Sequence, residues 1–323
     1  MTVSDHYRIE RPLTAELADL RSPIRQFFDL RFSGGLRDVQ RRYRQPAHPL
    51  TVPPVLQTEA NPGTVGTAAD WLLRFLLHPA PALELAARGA ILCGAQPPRP
   101  GLGMLAALEE LAQTLGMTRA DFKHDQRSFD GPVRGSSAEA EHLARVCWAL
   151  ALLTEVYRGG PVVAWQGPLG RFRNRRPSAA ELLALAPPAA VDQLGRFRAV
   201  FESVLLPPLA NRPGTWAIGP TLAGSALIAA DADLIAGGLL ADLKTGRKLS
   251  LGVTDLFQLL GYALLDYDDE FGINSVGIFS ARYAYLATWD LGGLLGELAG
   301  QPVSLATLRG QFRELLLRHA PTR

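Results

Sequence analysis

Apolar residues recur at helical spacing in the stretch 12–44, where Leu17, Leu20, Ile24, Phe27 and Phe28 fall on one stripe, the arrangement a helix turns towards a core. Residues 45–65 (QPAHPLTVPPVLQTEANPGTV) break the period with proline and predict an extended connection ending where a helix starts at about Gly66. From about 81 to 210 the pattern is mostly helical, with helices predicted near 102–116, 137–158 and 188–206 and turn-rich interruptions at GAQPPRPGLG and FDGPVRGSS. Near Trp216 the period shortens. The run WAIGPTLAGSALIAADADLIAGGLLADLKTG predicts strands and a hairpin, Thr254 to Leu265 a helix, and INSVGIFSARYAYLATWDL further strand. The last segment, SLATLRGQFRELLLRHA, reads as an amphipathic helix capped by Ser304.

Composition narrows the classes. With 323 residues, 47% hydrophobic and 20% charged, the chain can bury a large core, and two unequal lobes are expected. A formal charge of +2 from 33 basic and 31 acidic residues excludes a polycationic protein, so any anion-binding surface has to be local. Lysine is rare, occurring only as Lys123, Lys244 and Lys248. Cys93 and Cys147 are too few for a disulfide framework or a four-thiolate zinc site. The polar start MTVSDHYRIERP and the short longest apolar run, Val146 to Leu153, lead us to expect a cytoplasmic protein with no membrane segment. His6, His48, His78, His124, His142 and His319 show no metal spacing, and neither a GxSxG elbow nor a GxxxxGK[ST] loop occurs. The glycines of PGLGML lack a preceding strand and the dinucleotide spacing.

The hairpin carries the chemistry. If Gly237-Gly238 is its two-residue loop, Asp233 lies opposite Asp242 and Asp231 opposite Lys244. Alternation then puts Asp231, Asp233, Asp242 and Lys244 on one face and Ala232, Leu234, Leu239, Ala241 and Leu243 on the other. Carboxylates opposed across a ladder repel, and a divalent cation reverses that sign. Magnesium suits two carboxylates with water and phosphate oxygens filling its other positions, while the lysine can orient a water, act as a base after losing its proton, or neutralise phosphate charge. A charged edge that only keeps the hairpin soluble is the plainer alternative. The following helix, TDLFQLLGYALLD, aligns Asp255, Gln258 and Tyr262 on one side, with Leu256, Leu259, Leu260, Ala263 and Leu264 towards the core.

A strand acid in DLI, the acid and lysine of DLKT in the next strand, and QxxxY on a helix resemble the PD-(D/E)XK nuclease superfamily, most closely its RecB-like branch. The resemblance implies an α/β fold with a restriction-endonuclease-like mixed β-sheet flanked by helices. It implies metal binding by Asp233 and Asp242, water activation or positioning by Lys244, and an active-site lining of Gln258 and Tyr262. Upstream, Gly66-Thr-Ala-Ala-Asp70 resembles the family's glycine-to-ligand helix, with Asp70 where histidine is usual. A helix-start acid favoured by the dipole is the other reading of Asp70. The matching stretches are about 65–78 and 216–290, which makes the helical region between them a large insertion. The implied organisation is an N-terminal arm and connection (1–60), a first core helix (61–80), the insertion (81–213), the nuclease core (214–300) and a C-terminal helix (301–323). Asp231 stays open between pairing with Lys244, joining the metal shell, and serving as first acid if the hairpin slips by two.

A magnesium-dependent nuclease, with manganese as substitute, acting on DNA in repair, recombination or defence is therefore the expectation. Lacking a motor, it would take strand separation from a helicase or another protein partner. For nucleic-acid binding, Arg171, Arg173, Arg175 and Arg176 around Phe172 can track phosphates while the ring stacks on a base. The seven arginines from Arg21 to Arg44, and Arg196 with Arg198, are further candidates. The alternative is an inactive nuclease-like scaffold that binds nucleic acid or protein, separable by its metal binding.

Overall fold

A computed structural model of the chain describes residues 9, 11–45, 48–56, 59–93, 101–123, 128–130 and 135–319. Its sheet holds six strands in chain order: β1 (Ser128–Asp130), β2 (Thr215–Ile218), β3 (Leu234–Ala236), β4 (Leu239–Lys244), β5 (Ser275–Ser280) and β6 (Tyr285–Asp290). Strands β4 and β5 run parallel, and the other neighbours are antiparallel. The hairpin register is the one set by the two glycines. Gly237 and Gly238 take φ of +50° and +76°, as a two-residue turn of this kind requires, and Leu234 pairs with Ala241, Ile235 with Leu240 and Ala236 with Leu239.

Helices cover both sheet faces. The principal ones are α1 (Leu13–Ala18), α2 (Pro23–Arg31), α3 (Leu36–Arg44), α4 (Pro62–Leu77), α5 (Glu84–Leu92), α6 (Gly101–Gln113), α7 (Ala140–Gly159), α8 (Pro188–Val200), α9 (Val253–Leu265) and α10 (Leu305–His319). On one face Leu234, Ala236, Leu239 and Ala241 join Trp216 and Phe279 in a continuous core with α4, α5, α7 and α8. On the other, Ile235, Leu240, Val276 and Ile278 pack with α1, α2, α3, α9 and α10. Burial on both faces is what a strand-helix-strand crossover such as β4-α9-β5 demands.

Four local features differ from the sequence pattern. Helix α4 starts at Pro62 rather than Gly66, because Asn61 caps it through a 2.8 Å bond from the Gly63 N–H and proline is tolerated in the first turn. FDGPVRGSS does not lie wholly in turns, since Ser128–Asp130 pairs with Thr215–Ala217 as an edge strand. Ala232 does not share a face with Leu234: it is buried in the opposite core, because the chain bends at Asp233 and the alternation stops there. The helix from Pro188 passes into a π turn at Phe201–Leu205. Cys93 and Cys147 are buried and unpaired, and burial pushes the Cys93 thiol up to about 12, which leaves it unreactive. Among the described residues no helix is long and apolar enough to cross a membrane.

Candidate functional site

The bend that ends β3 is what brings the two hairpin acids together. Asp233 leaves the pairing with β4, where its Oδ2 accepts from the Leu243 N–H at 2.7 Å, while its carbonyl still accepts from the Gly219 N–H on the β2 side at 2.9 Å. Asp242 stays in β4 and is 5% exposed. Burial, followed by the Asp242 and Asp70 charges, pushes the Asp233 carboxyl well above the usual carboxylate range. Burial also raises Asp242, and Lys244 works against that rise. Asp231 is exposed and bridged to Thr221, so neither its pairing with Lys244 nor a hairpin slipped by two is realised.

Lys244 closes a network on the face covered by α9. Its Nζ lies 3.0 Å from Asp242 Oδ2 and 3.2 Å from Asp255 Oδ1 and donates to Gln258 Oε1 at 3.2 Å. Gln258 Nε2 donates to Asp242 Oδ1 at 3.1 Å and to the Tyr262 hydroxyl at 2.8 Å. Spacing of four along α9 is why Gln258 and Tyr262 meet. Burial disfavours the lysine charge, but Asp242 and Asp255 outweigh it and hold the ammonium above its ordinary value. Without a metal, the two carboxylates thus favour the ammonium form of Lys244 over a deprotonated base. Burial, with Asp242 and Asp233 adding to it, keeps the Tyr262 phenol neutral and well above its usual pKa.

Helix α4 approaches the same place. At Gly66 a Cβ would meet Thr245 Oγ1, next to Lys244, at 2.9 Å, so the glycine permits the close approach. One turn on, Asp70 pairs with Arg74 at 3.0 Å. Arg74 escaped the sequence reading. It is 8% exposed, and although burial opposes its charge, Asp70 and Asp233 raise its pKa.

 Its guanidinium also packs over Gly219, where φ is +58° and a Cβ would fall 2.3 Å from Arg74 Nη1. Gly219→Ala is accordingly expected to cost about 1–2 kcal/mol from the left-handed backbone alone, read as a lower urea midpoint at unchanged slope. Arg282 is a second such residue. Buried, it donates to the Thr245 carbonyl at 2.7 Å, to the Val52 carbonyl at 3.2 Å and to Gln193 Oε1 of α8 at 3.2 Å, tying the end of β4 to the helical lobe. Arg282 has no local sequence signal, because its partners come from distant segments, whereas Arg74 has its ion-pair partner one turn away in Asp70.

Beside the acids opens a cleft of about 560 Å³, lined by Asp231, Asp233, Gln258 and Tyr262 on one side and by Leu85, Tyr157 and Arg158 on the other. Arg171, Arg173, Arg175 and Arg176 are exposed but do not line it. Phe172 is 2% exposed, which corrects the expectation that its ring stacks on a base, and Arg175 is ion-paired with Glu181 at 2.6 Å. Six of the nine other arginine candidates are ion-paired as well: Arg21 with Asp19, Arg25 with Asp29, Arg41 with Asp38, Arg42 with Glu297, Arg196 with Asp192 and Arg198 with Glu202.

The donor set fits a divalent cation held by two carboxylates. Asp242 Oδ2 is buried and accepts no hydrogen bond, its contact with Lys244 being an ion-pair distance without hydrogen-bond alignment. The Lys244 ammonium supplies its counter-charge, so the fit to a metal rests on the pair of carboxylate donors and on the oxygen's free hydrogen-bonding capacity. Among the described residues no three His, Cys, Asp or Glu side chains converge as a ligand cluster. Asp70, engaged by Arg74, is thus not gathered with the strand acids into a preformed three-carboxylate site. Comparison with protein-family models, with curated proteins and with solved structures returns no significant match to this chain.

Proposed function

We propose that the chain is a magnesium-dependent nuclease that hydrolyses phosphodiester bonds of DNA, with a fold of the PD-(D/E)XK type. The observation that carries the reading is the pairing of two mutually repelling carboxylates, half-buried Asp233 and buried Asp242, with a lysine next to Asp242. Asp233 and Asp242 would hold the metal, magnesium or manganese. When bound, it would supply a Lewis acid for the phosphate and lower the pKa of a water. Lys244, kept protonated by Asp242 and Asp255, would neutralise charge growing on the phosphate. Gln258 holds Asp242 and Lys244 in register through both ends of its amide, and Tyr262 fixes that amide's orientation. Repair, recombination or defence against foreign DNA is the setting that such an activity suits, with a helicase as a natural partner.

A binding-only scaffold is the second reading, and the observation favouring it is that Lys244 already compensates Asp242 without a metal. The two separate in one assay, cleavage of labelled single- and double-stranded DNA with magnesium, manganese or chelator. The expected result is metal-dependent cutting by the parent and a loss of about 10²–10³-fold in Lys244→Ala, the usual effect of removing one group that stabilises transition-state charge. Folded parent protein that binds DNA but neither binds metal nor cuts would overturn the nuclease reading in favour of the scaffold.

A further inference from the structure

The helical lobe does more than flank the sheet: its helices α5 and α7 bring Leu85, Tyr157 and Arg158 to the wall of the cleft that faces Asp231 and Asp233. We propose that this wall is a binding site for one unpaired nucleic-acid strand, with Arg158 on the phosphate backbone and Tyr157 as a stacking surface. The inference rests on the proposed function only in taking the acids as the site at which that strand is cut.

Three observations carry it. First, Arg158 is exposed and, among the described residues, makes no hydrogen bond or ion pair; Glu155, nearly one turn earlier, lies within its field without being paired to it. It therefore differs from Arg145, Arg175, Arg196 and Arg198 on the same lobe, each neutralised by a neighbouring acid. A free guanidinium facing carboxylates across a cleft is suited to a ligand whose anionic groups lie on its side. Second, Tyr157 is half-buried and held in place, with the Arg88 guanidinium 5.7 Å from its ring centroid and donating to its hydroxyl at 3.4 Å. A guanidinium next to an aromatic ring is the pair that binds single strands without reading sequence, here on the part of the lining away from Asp231 and Asp233. Third, about 560 Å³ is the size of a small-ligand pocket, roughly 300–1,000 Å³. With α1 residues Leu13 and Thr14 also in its lining, that space is of the size that takes in about one or two nucleotides of a single strand.

The test is fluorescence anisotropy in chelator, so that binding is read without cleavage. The probes are oligodeoxythymidylate, oligouridylate of the same length and a blunt DNA duplex, each titrated against the parent, Arg158→Ala and Arg175→Ala over a range of salt. The parent is expected to bind the single strand more tightly than the duplex. Arg158→Ala should weaken single-strand binding about tenfold and lower the salt slope by about 0.7. Its melting temperature should stay at the parent value because Arg158 holds nothing in the fold, and Arg175→Ala should bind as the parent does. Equal affinity and slope for Arg158→Ala would overturn the site even if the parent cuts DNA, as would equal binding of duplex and single strand or no binding of either. A strand bound normally but never cut in magnesium would keep the site and remove the nuclease reading. Binding confined to oligouridylate would keep the site and remove DNA as the substrate.

Discussion

Asp233→Asn is expected to abolish cleavage, by at least about 10³-fold, and at the same time to make the metal-free protein more stable. The two effects have one origin, a carboxylate held where its charge is disfavoured by burial and by Asp242 and Asp70. Because the folded-state pKa lies above the unfolded one, the acid's stabilising contribution is complete below the unfolded value of about 3.9 and is lost as pH rises through the folded value. At neutral pH the charge is therefore a cost. The amide removes it and keeps an oxygen for the Leu243 N–H, so the variant should gain about 1 kcal/mol or more, a melting temperature higher by a few degrees. That advantage should shrink as pH falls towards 4. Magnesium should raise the melting temperature of the parent and not that of the variant. A variant that melts below the parent at pH 7 would mean that Arg74 compensates the Asp233 charge in full.

The second large effect is on the lobe. Gly89 of α5 faces α7 so closely that a Cβ would fall 1.8 Å from the Leu153 carbonyl oxygen and 3.3 Å from the Tyr157 nitrogen. Backbone cannot yield as a side-chain tip does, so Gly89→Ala must drive the two helices apart. A loss of about 3 kcal/mol is expected, measured by thermal or urea unfolding. Since Leu85 belongs to α5 and Tyr157 and Arg158 to α7, the same separation should weaken oligonucleotide binding at temperatures where the variant is still folded. Unchanged stability would show that the helices do not meet at this glycine as described.

Legibility in the sequence followed the distance between partners. The hairpin register was readable because Gly237-Gly238 and the alternation of Leu234 to Leu243 are local signals, and the Gln258–Tyr262 contact was readable because helical spacing dictates it. The approach of α4 to the DLKT strand came from the family resemblance, since nothing local connects Gly66 with Thr245. Asp233 was found, but its bend was not: the apolar pattern runs through Ala232 without interruption, and only the Gly219 and Leu243 bonds reveal where the ladder ends. Arg282 is hidden because a buried arginine is recognised by its partners, and those come from separate segments; for Arg74 the i,i+4 spacing to Asp70 is a local signal, but its approach to Gly219 is not. Arg158 carries no local signal beyond its place at the end of a helix, while in the denser arginine cluster Arg175 is held by Glu181 and the Phe172 ring is buried.

The short strand β1 gives the lobe a role in solubility. By pairing with β2, it covers backbone donors and acceptors that would otherwise form an open sheet margin, the kind of template on which chains stack and aggregate. The segment between α4 and β2 is thus not a removable ornament on a self-sufficient core. A trimmed protein keeping only the hairpin, α9 and their acids would expose both an adhesive edge and the sheet face that packs on the lobe, so changes in the lobe are constrained by colloidal behaviour as well as by access to the cleft.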